Sequence, residues 1–181
     1  MHDICRAAGV SAGALYVYFA SKEDLIAGIC ERDRAKLAGE LTQLADAPDL
    51  VSALGKLAQH YAVDQPVHKR LIVLEMGIES TRNPAIASIF RSVDQFVIES
   101  FAKLFERARQ QGRIAPHLDT QTLARVVATI GDGMFWRRAI DPTHNPQSLV
   151  TVLLGVISTL LNPTQPLHHP APVGTPMKAL T

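Results

Sequence analysis

The 181-residue chain has only two cysteines, Cys5 and Cys30, and both fall in helical patterns. Two thiols so placed make no disulfide framework. They behave as small hydrophobes and suit a reducing compartment, so a cytoplasmic location is expected. No signal-peptide pattern is present, and no apolar run reaches the roughly 20 residues a bilayer requires. That predicts no membrane partner. Net charge is scarce too, at +1, so no bulk basic footprint announces nucleic acid. The first 41 residues are no more basic: Arg6, Lys22, Arg32, Arg34 and Lys36 stand against Asp3, Glu23, Asp24, Glu31, Asp33 and Glu40. Any DNA-binding reading must therefore come from motif geometry.

Catalytic equipment is also missing. No glycine-rich phosphate loop occurs, and no serine or cysteine stands in a nucleophile elbow. Of the seven histidines (His2, His60, His68, His117, His144, His168 and His169), none forms a helical i,i+4 pair with an acidic partner. His168-His169 reads as a solvated pair in a proline-rich tail. The expectation is a protein that is not an enzyme, with no cofactor and no metal site.

What the chain does have is helical periodicity, with almost no β-strand pattern. From Lys22 a helix carries Leu25, Ile29, Leu37, Leu41 and Leu44, and Pro48 interrupts it. Asp49 caps a helix with the stripe Leu50, Leu54, Leu57, Ala58 and Tyr61, ending at Gln65-Pro66. The spacing predicts further helices over 69–81 and 85–111, the second about 40 Å long. Gly112 sits just past that end. Another runs from Asp119-Thr120 to Ile140, and the last, Gln147–Leu161, is apolar nearly all round. Beyond 162 the prolines predict disorder.

The first 25 residues follow a different grammar. Ile4, Ala7 and Ala8 give a short helix an apolar face, and Gly9 can end it with positive φ. Ser11 is a good N-cap for a second short helix, with Leu15 and Phe19 on its buried side. Tyr16, Val17 and Tyr18 point away. Ser21 caps the next helix, with Asp24 at capping-box reach. This is a helix-turn-helix.

The stretch resembles the DNA-binding signature of the TetR family of bacterial transcriptional regulators. Ile4, Ala8-Gly9-Val10-Ser11, Leu15-Tyr16, Tyr18-Phe19, Lys22 and Leu25 carry the resemblance. It implies an all-α fold: a helix-turn-helix module over 1–41 (motif 1–19, connecting helix from 22), a ligand-binding and dimerisation domain over 42–162, and a tail over 163–181. It also implies a homodimeric regulator, a ligand-released repressor, whose partners are double-stranded operator DNA and a small, partly apolar effector. The family's DNA-binding domain has three helices, and the first would lie upstream of Met1. An open reading frame encoding an amphipathic helix there is expected. The alternative is a dimeric small-molecule-binding or interaction protein that has lost DNA binding.

In a helix-turn-helix the N-terminal residues of the second helix meet base edges. Here these are Ser11, Ala12, Gly13 and Ala14, of which Ala14 suits a thymine methyl. By resemblance, Tyr16, Tyr18 and Lys22 hold phosphates, with Arg6 a weaker candidate. The candidate effector pocket takes Tyr61, Met76, Phe96, Phe101, Met134, Phe135 and Trp136, with Glu75, Glu79 and Asp132 as polar contacts. Each has an ordinary alternative: a Met or aromatic at helical spacing is usually core, and Glu75 suits an ion pair with Arg82 or Arg70. The helices at about 120–140 and 147–161 would pair with those of a second copy as a four-helix bundle, since an all-round apolar helix must be covered on more than one side.

Overall fold

Side-chain caps set where most of the helices begin. The Asp49 carboxylate accepts from Ser52 N at 3.0 Å, and Asp119 accepts from Thr122 N at 2.9 Å. Asn83 accepts from both Ala85 N and Ile86 N, with Pro84 supplying the preset first-turn φ. A computed structural model describes residues 1–141, 143 and 145–164. Its helices are α1 (His2–Ala8), α2 (Ala12–Tyr18), α3 (Lys22–Ala45), α4 (Leu50–Ala58), a π-helical turn (Gln59–Asp64), α5 (Val67–Glu79), α6 (Pro84–Gln110), α7 (Thr120–Ile140) and α8 (Gln147–Leu161). Among the described residues the one β-type pairing is an isolated bridge between Ile114 and Pro163. The all-α expectation holds.

The core forms where α3, α6 and α7 pack on one another, with α4 and α8 closing it. Phe105 and Ala108 of α6, Leu123 and Ala124 of α7 and Leu161 of α8 are wholly shielded from solvent. Arg113, just after α6, donates to the carbonyls of Ala45 and Ala47, each at 2.8 Å. Those donations satisfy acceptors left open where α3 ends. A smaller apolar cluster, Ala62, Met134 and Val150, joins the π turn to α7 and α8.

The structure differs from the sequence pattern at several points. The helix expected to run from Asp49 to Gln65 widens into a π turn at Gln59, although that turn contains no glycine or proline. Side chains hold it instead: the Tyr61 hydroxyl donates to Glu40 at 2.8 Å, and Gln59 donates to Asp64 at 3.1 Å. α3 runs unbroken to Ala45, as its stripe through Leu41 and Leu44 predicts. Pro163 and Thr164, assigned to the tail, are stitched to the α6–α7 loop: Thr164 N donates to Arg113 O at 3.0 Å and its hydroxyl to Gly112 O at 2.6 Å. The rest of the tail, His168-His169 included, lies outside the described residues, as does His144.

Candidate nucleic-acid interface and effector pocket

Backbone and caps shape the opening module. Gly9 takes φ 66° and turns its N–H back to the carbonyls of Arg6 and Cys5. Ser11 is extended, and its hydroxyl accepts from Ala14 N at 3.1 Å, so α2 starts as the sequence predicts. Phe19, at φ −135°, stops α2 and leads to Ser21, whose hydroxyl accepts from Asp24 N at 3.0 Å. Ala12, Leu15 and Phe19 form the partly buried side of α2. Gly13, Ala14 and Tyr16 to Tyr18 form the open side.

That open side is apolar in body and wet in place. Tyr16 is 50% exposed, Val17 79% and Tyr18 80%. No acidic residue lies within α2. Space around Gly13 is empty out to 4 Å, so backbone there is free to approach a surface closely. Lys22, the first residue of α3, is exposed and forms no ion pair among the described residues. Arg6 is exposed but held by Asp3 one turn back on α1, so it would have to exchange that partner for a phosphate.

One contact packs α2 on α3, and another ties the start of α3 to α6. The Phe19 ring lies on α3 at Gly28, where an added Cβ would stand only 2.9 Å from Cε1. Asn83, while capping α6, donates from Nδ2 to Glu23 in the first turn of α3 at 3.0 Å. The Glu23 carboxyl is held below the ordinary glutamate range, first by backbone N–H donation at the helix start and then by Asn83.

The expected pocket residues are distributed over several contacts. Tyr61 is bonded to Glu40, and burial first, then that acceptor, push its hydroxyl pKa up, so it remains a donor. Lys36 reaches His60 Nε2 at 2.9 Å beside them. Phe96 lies under the Arg34 guanidinium, 4.8 Å from ring centroid to charge. Phe101 belongs to the main core, stacked on Phe105 at 5.8 Å. Met76 and Met134 are buried, Phe135 half-buried, and Trp136 rests its ring on Gly77. Glu75 is exposed and forms neither expected pair: Arg82 bonds Glu79, one turn closer, and Arg70 donates to the Gln65 carbonyl. Pattern reading gave Arg34 only as a charge, Gln65 only as a helix end and Arg70 only as a partner for Glu75, yet Gln65 and Arg70 are buried. The available signal was a cation inside an otherwise apolar helix stripe.

Asp132 projects from the exposed side of α7, yet its carboxyl is held above the ordinary aspartate range. Loss of surrounding water is the larger cause and the Asp94 charge the lesser. An acid whose pKa rises on folding binds more protons folded than unfolded. Stability then falls as pH climbs from the unfolded value through the raised one, and stays lower above it. Asp132→Asn is expected to raise Tm at neutral pH and to leave it unchanged below the ordinary aspartate range. Melting curves at the two pH values check this.

Known proteins share both the opening sequence and the fold. Residues 1–29 match the family described as bacterial regulatory proteins, tetR family. The HTH-type transcriptional regulator UidR of Escherichia coli K12 is 29% identical over 138 residues, 74% of this chain and 68% of that regulator. Salmonella enterica GusR superposes with a TM-score of 0.72 at 27% identity, covering 87% of this chain and 82% of that one. A TetR-family regulator from Rhodococcus sp. superposes at 0.75 with 19% identity over 88% and 86%, a likeness of fold.

Proposed function

Because this chain belongs to the tetR family of bacterial regulatory proteins, we propose that it is a homodimeric repressor released from operator DNA by a small, partly apolar effector. The open face of α2 carries this reading. Two tyrosines and a valine stand in solvent beside bare Gly13 and Ala14, with Lys22 next to them. A monomeric surface gains nothing by exposing that much apolar area, whereas a DNA groove covers it. In the proposed roles, Ser11, Ala12, Gly13 and Ala14 meet base edges. The Tyr16 and Tyr18 hydroxyls and Lys22 hold phosphates, with Arg6 in a minor part. Residues 1–41 serve as the DNA-binding part and 42–162 as the effector and dimer part.

The effector would act through α3. Its favoured packing against the π turn and α6 differs between free and bound states, and the shift is as large as the effector's differential affinity for the two. Tyr61–Glu40 at 2.8 Å, Arg34–Ser92 at 3.3 Å and Asn83–Glu23 at 3.0 Å are contacts through which such a change would pass. Of the expected pocket residues, Met76 on α5 and Phe135 and Trp136 on α7 are kept in that role, because Phe101 lies in the main core and Glu75 points to solvent.

A gel shift against the gene's upstream region tests the DNA-binding core. A salt-sensitive, sequence-selective shift is expected. Tyr16→Phe with Lys22→Ala should weaken binding to all sequences about equally, by roughly tenfold for two phosphate contacts. Unchanged affinity in that double variant would remove Tyr16 and Lys22 from the interface.

A further inference from the structure

Asn83, in the connector before α6, serves two helices with one side chain. Its Oδ1 accepts from Ala85 N at 3.0 Å and Ile86 N at 3.3 Å, which starts α6. Its Nδ2 donates to Glu23 Oε1 at 3.0 Å, in the first turn of α3. The two N–H donors fix the amide: with the oxygen taken by them, the nitrogen faces α3. Aspartate also caps helices well, but an ionised carboxylate has no proton to give Glu23. Among the described residues, this is the one hydrogen bond that links residues 1–33 to anything beyond α3.

α3 and α6 run side by side in the same direction. Glu23 meets Asn83, Arg34 meets Ser92 at 3.3 Å, and Asp46, just past α3, meets Arg107 at 2.7 Å. The two ends of α3 are held unequally. Leu41 and Ala45, its buried residues, both lie in the last five positions. Arg113 adds its donations to the carbonyls of Ala45 and Ala47. At the other end no residue from 22 to 33 is buried, and α2 has no buried residue at all. A helix of this length spans roughly 36 Å, so each degree of tilt about its far end moves the first turn by roughly 0.6 Å. α2 follows that turn, because Phe19 lies on α3 at Gly28.

We propose that Asn83 is a positioning residue for DNA recognition: by holding Glu23 it sets the angle at which α3 presents Tyr16, Tyr18 and Lys22. The proposal rests on the DNA-binding reading above and adds to it a residue about 60 positions from the motif. Asn83 acts through Glu23 and touches no DNA in this role.

The test is a double-mutant cycle of Asn83→Asp and Glu23→Gln, with affinity for a duplex of the gene's upstream region read by gel shift at one salt concentration. Asn83→Asp keeps a cap for α6 and sets a second carboxylate against Glu23. Glu23→Gln leaves Asn83 an acceptor. Together the two changes exchange donor and acceptor, so the bond returns with its direction reversed. The charge that Asn83→Asp adds is the same in both backgrounds, so its general effect on DNA affinity cancels in the cycle. Asn83→Asp is expected to weaken binding about fivefold more in the parent than in the Glu23→Gln protein. Hydrogen exchange without DNA reads the tie itself. Amides of α2 and of the first turns of α3 should exchange about fivefold faster in Asn83→Asp and return to the parent rate in the double variant. Amides of the α6–α7 core should not change. If Asn83→Asp fails to fold, Asn83→Gly with Glu23→Ala gives the same cycle without an added carboxylate, since glycine keeps most of the cap. Equal effects of the Asn83 change in the two backgrounds would overturn the proposal and leave the DNA reading standing. A parent that shifts no upstream duplex would overturn both, whatever the exchange rates show.

Discussion

Val152→Glu with Val156→Glu is expected to turn the protein into a monomer and to cost about 10²-fold or more in operator affinity. Both valines lie on one face of α8, 61% and 46% exposed, flanked by Leu149. The helix Gln147–Leu161 contains no charged residue. Its buried side, Val150, Ile157 and Leu161, is used within the chain. The other side exposes Leu149, Val152 and Val156 among uncharged Ser148, Thr151 and Thr159, and α7 exposes Ile140 and Trp136 as well. In the proposed homodimer a second copy of the same helices would cover that side by two-fold symmetry. Two glutamates per subunit would face their symmetry mates in a desolvated seam, where unpaired charge is costly. A monomer presents one recognition helix and loses the effective-concentration advantage of two linked half-site contacts. Light scattering after size exclusion reads the mass, and a gel shift reads the affinity. A double variant that remains dimeric would place the subunit contact elsewhere and leave the α8 face to another partner.

How much of this was legible in the chain depended on how local the cause was. Helix starts at Ser11, Ser21, Asp49 and Asp119 were readable because a cap acts within three residues, and each of those side chains is found bonded to its own helix. The glycine ending α1 was readable for the same reason, since φ 66° favours glycine. The π turn at Gln59–Asp64 was not, because contacts with Glu40 and Lys36 on α3 hold it, about 20 residues earlier in sequence. The open face of α2 followed from a spacing of three and four residues. The effector part resisted because periodicity marks which residues turn inward and not what they meet. Phe101 turned inward into the core, and Trp136 went onto Gly77. Arg70 turned inward against its own residue type, and only the packed structure shows it buried.

Gly28→Val is expected to weaken operator binding by about 10²-fold while leaving the melting point nearly unchanged. Phe19 anchors the C-terminal end of α2 by laying its ring on α3 at Gly28, and a Cβ there would stand 2.9 Å from Cε1. Carbon atoms in contact settle near 3.5–4.0 Å, so the ring has to move by several tenths of an ångström for alanine, and further for the branched valine. The ring belongs to the residue that terminates α2, so its displacement tilts the face bearing Tyr16 and Tyr18. On the proposed DNA contacts, a small tilt would misplace several base-edge and phosphate contacts at once, each worth roughly 1–3 kcal/mol at the base edges. Stability moves the other way, because glycine within a helix costs about 1 kcal/mol against alanine and somewhat less against valine. Gly28→Ala should therefore melt no lower than the parent and bind more weakly. Adding Phe19→Leu to Gly28→Ala removes the ring atom that clashes and should restore part of the affinity. If Gly28→Val binds operator normally, Phe19 has room to shift without moving α2, and the recognition helix is positioned by other contacts.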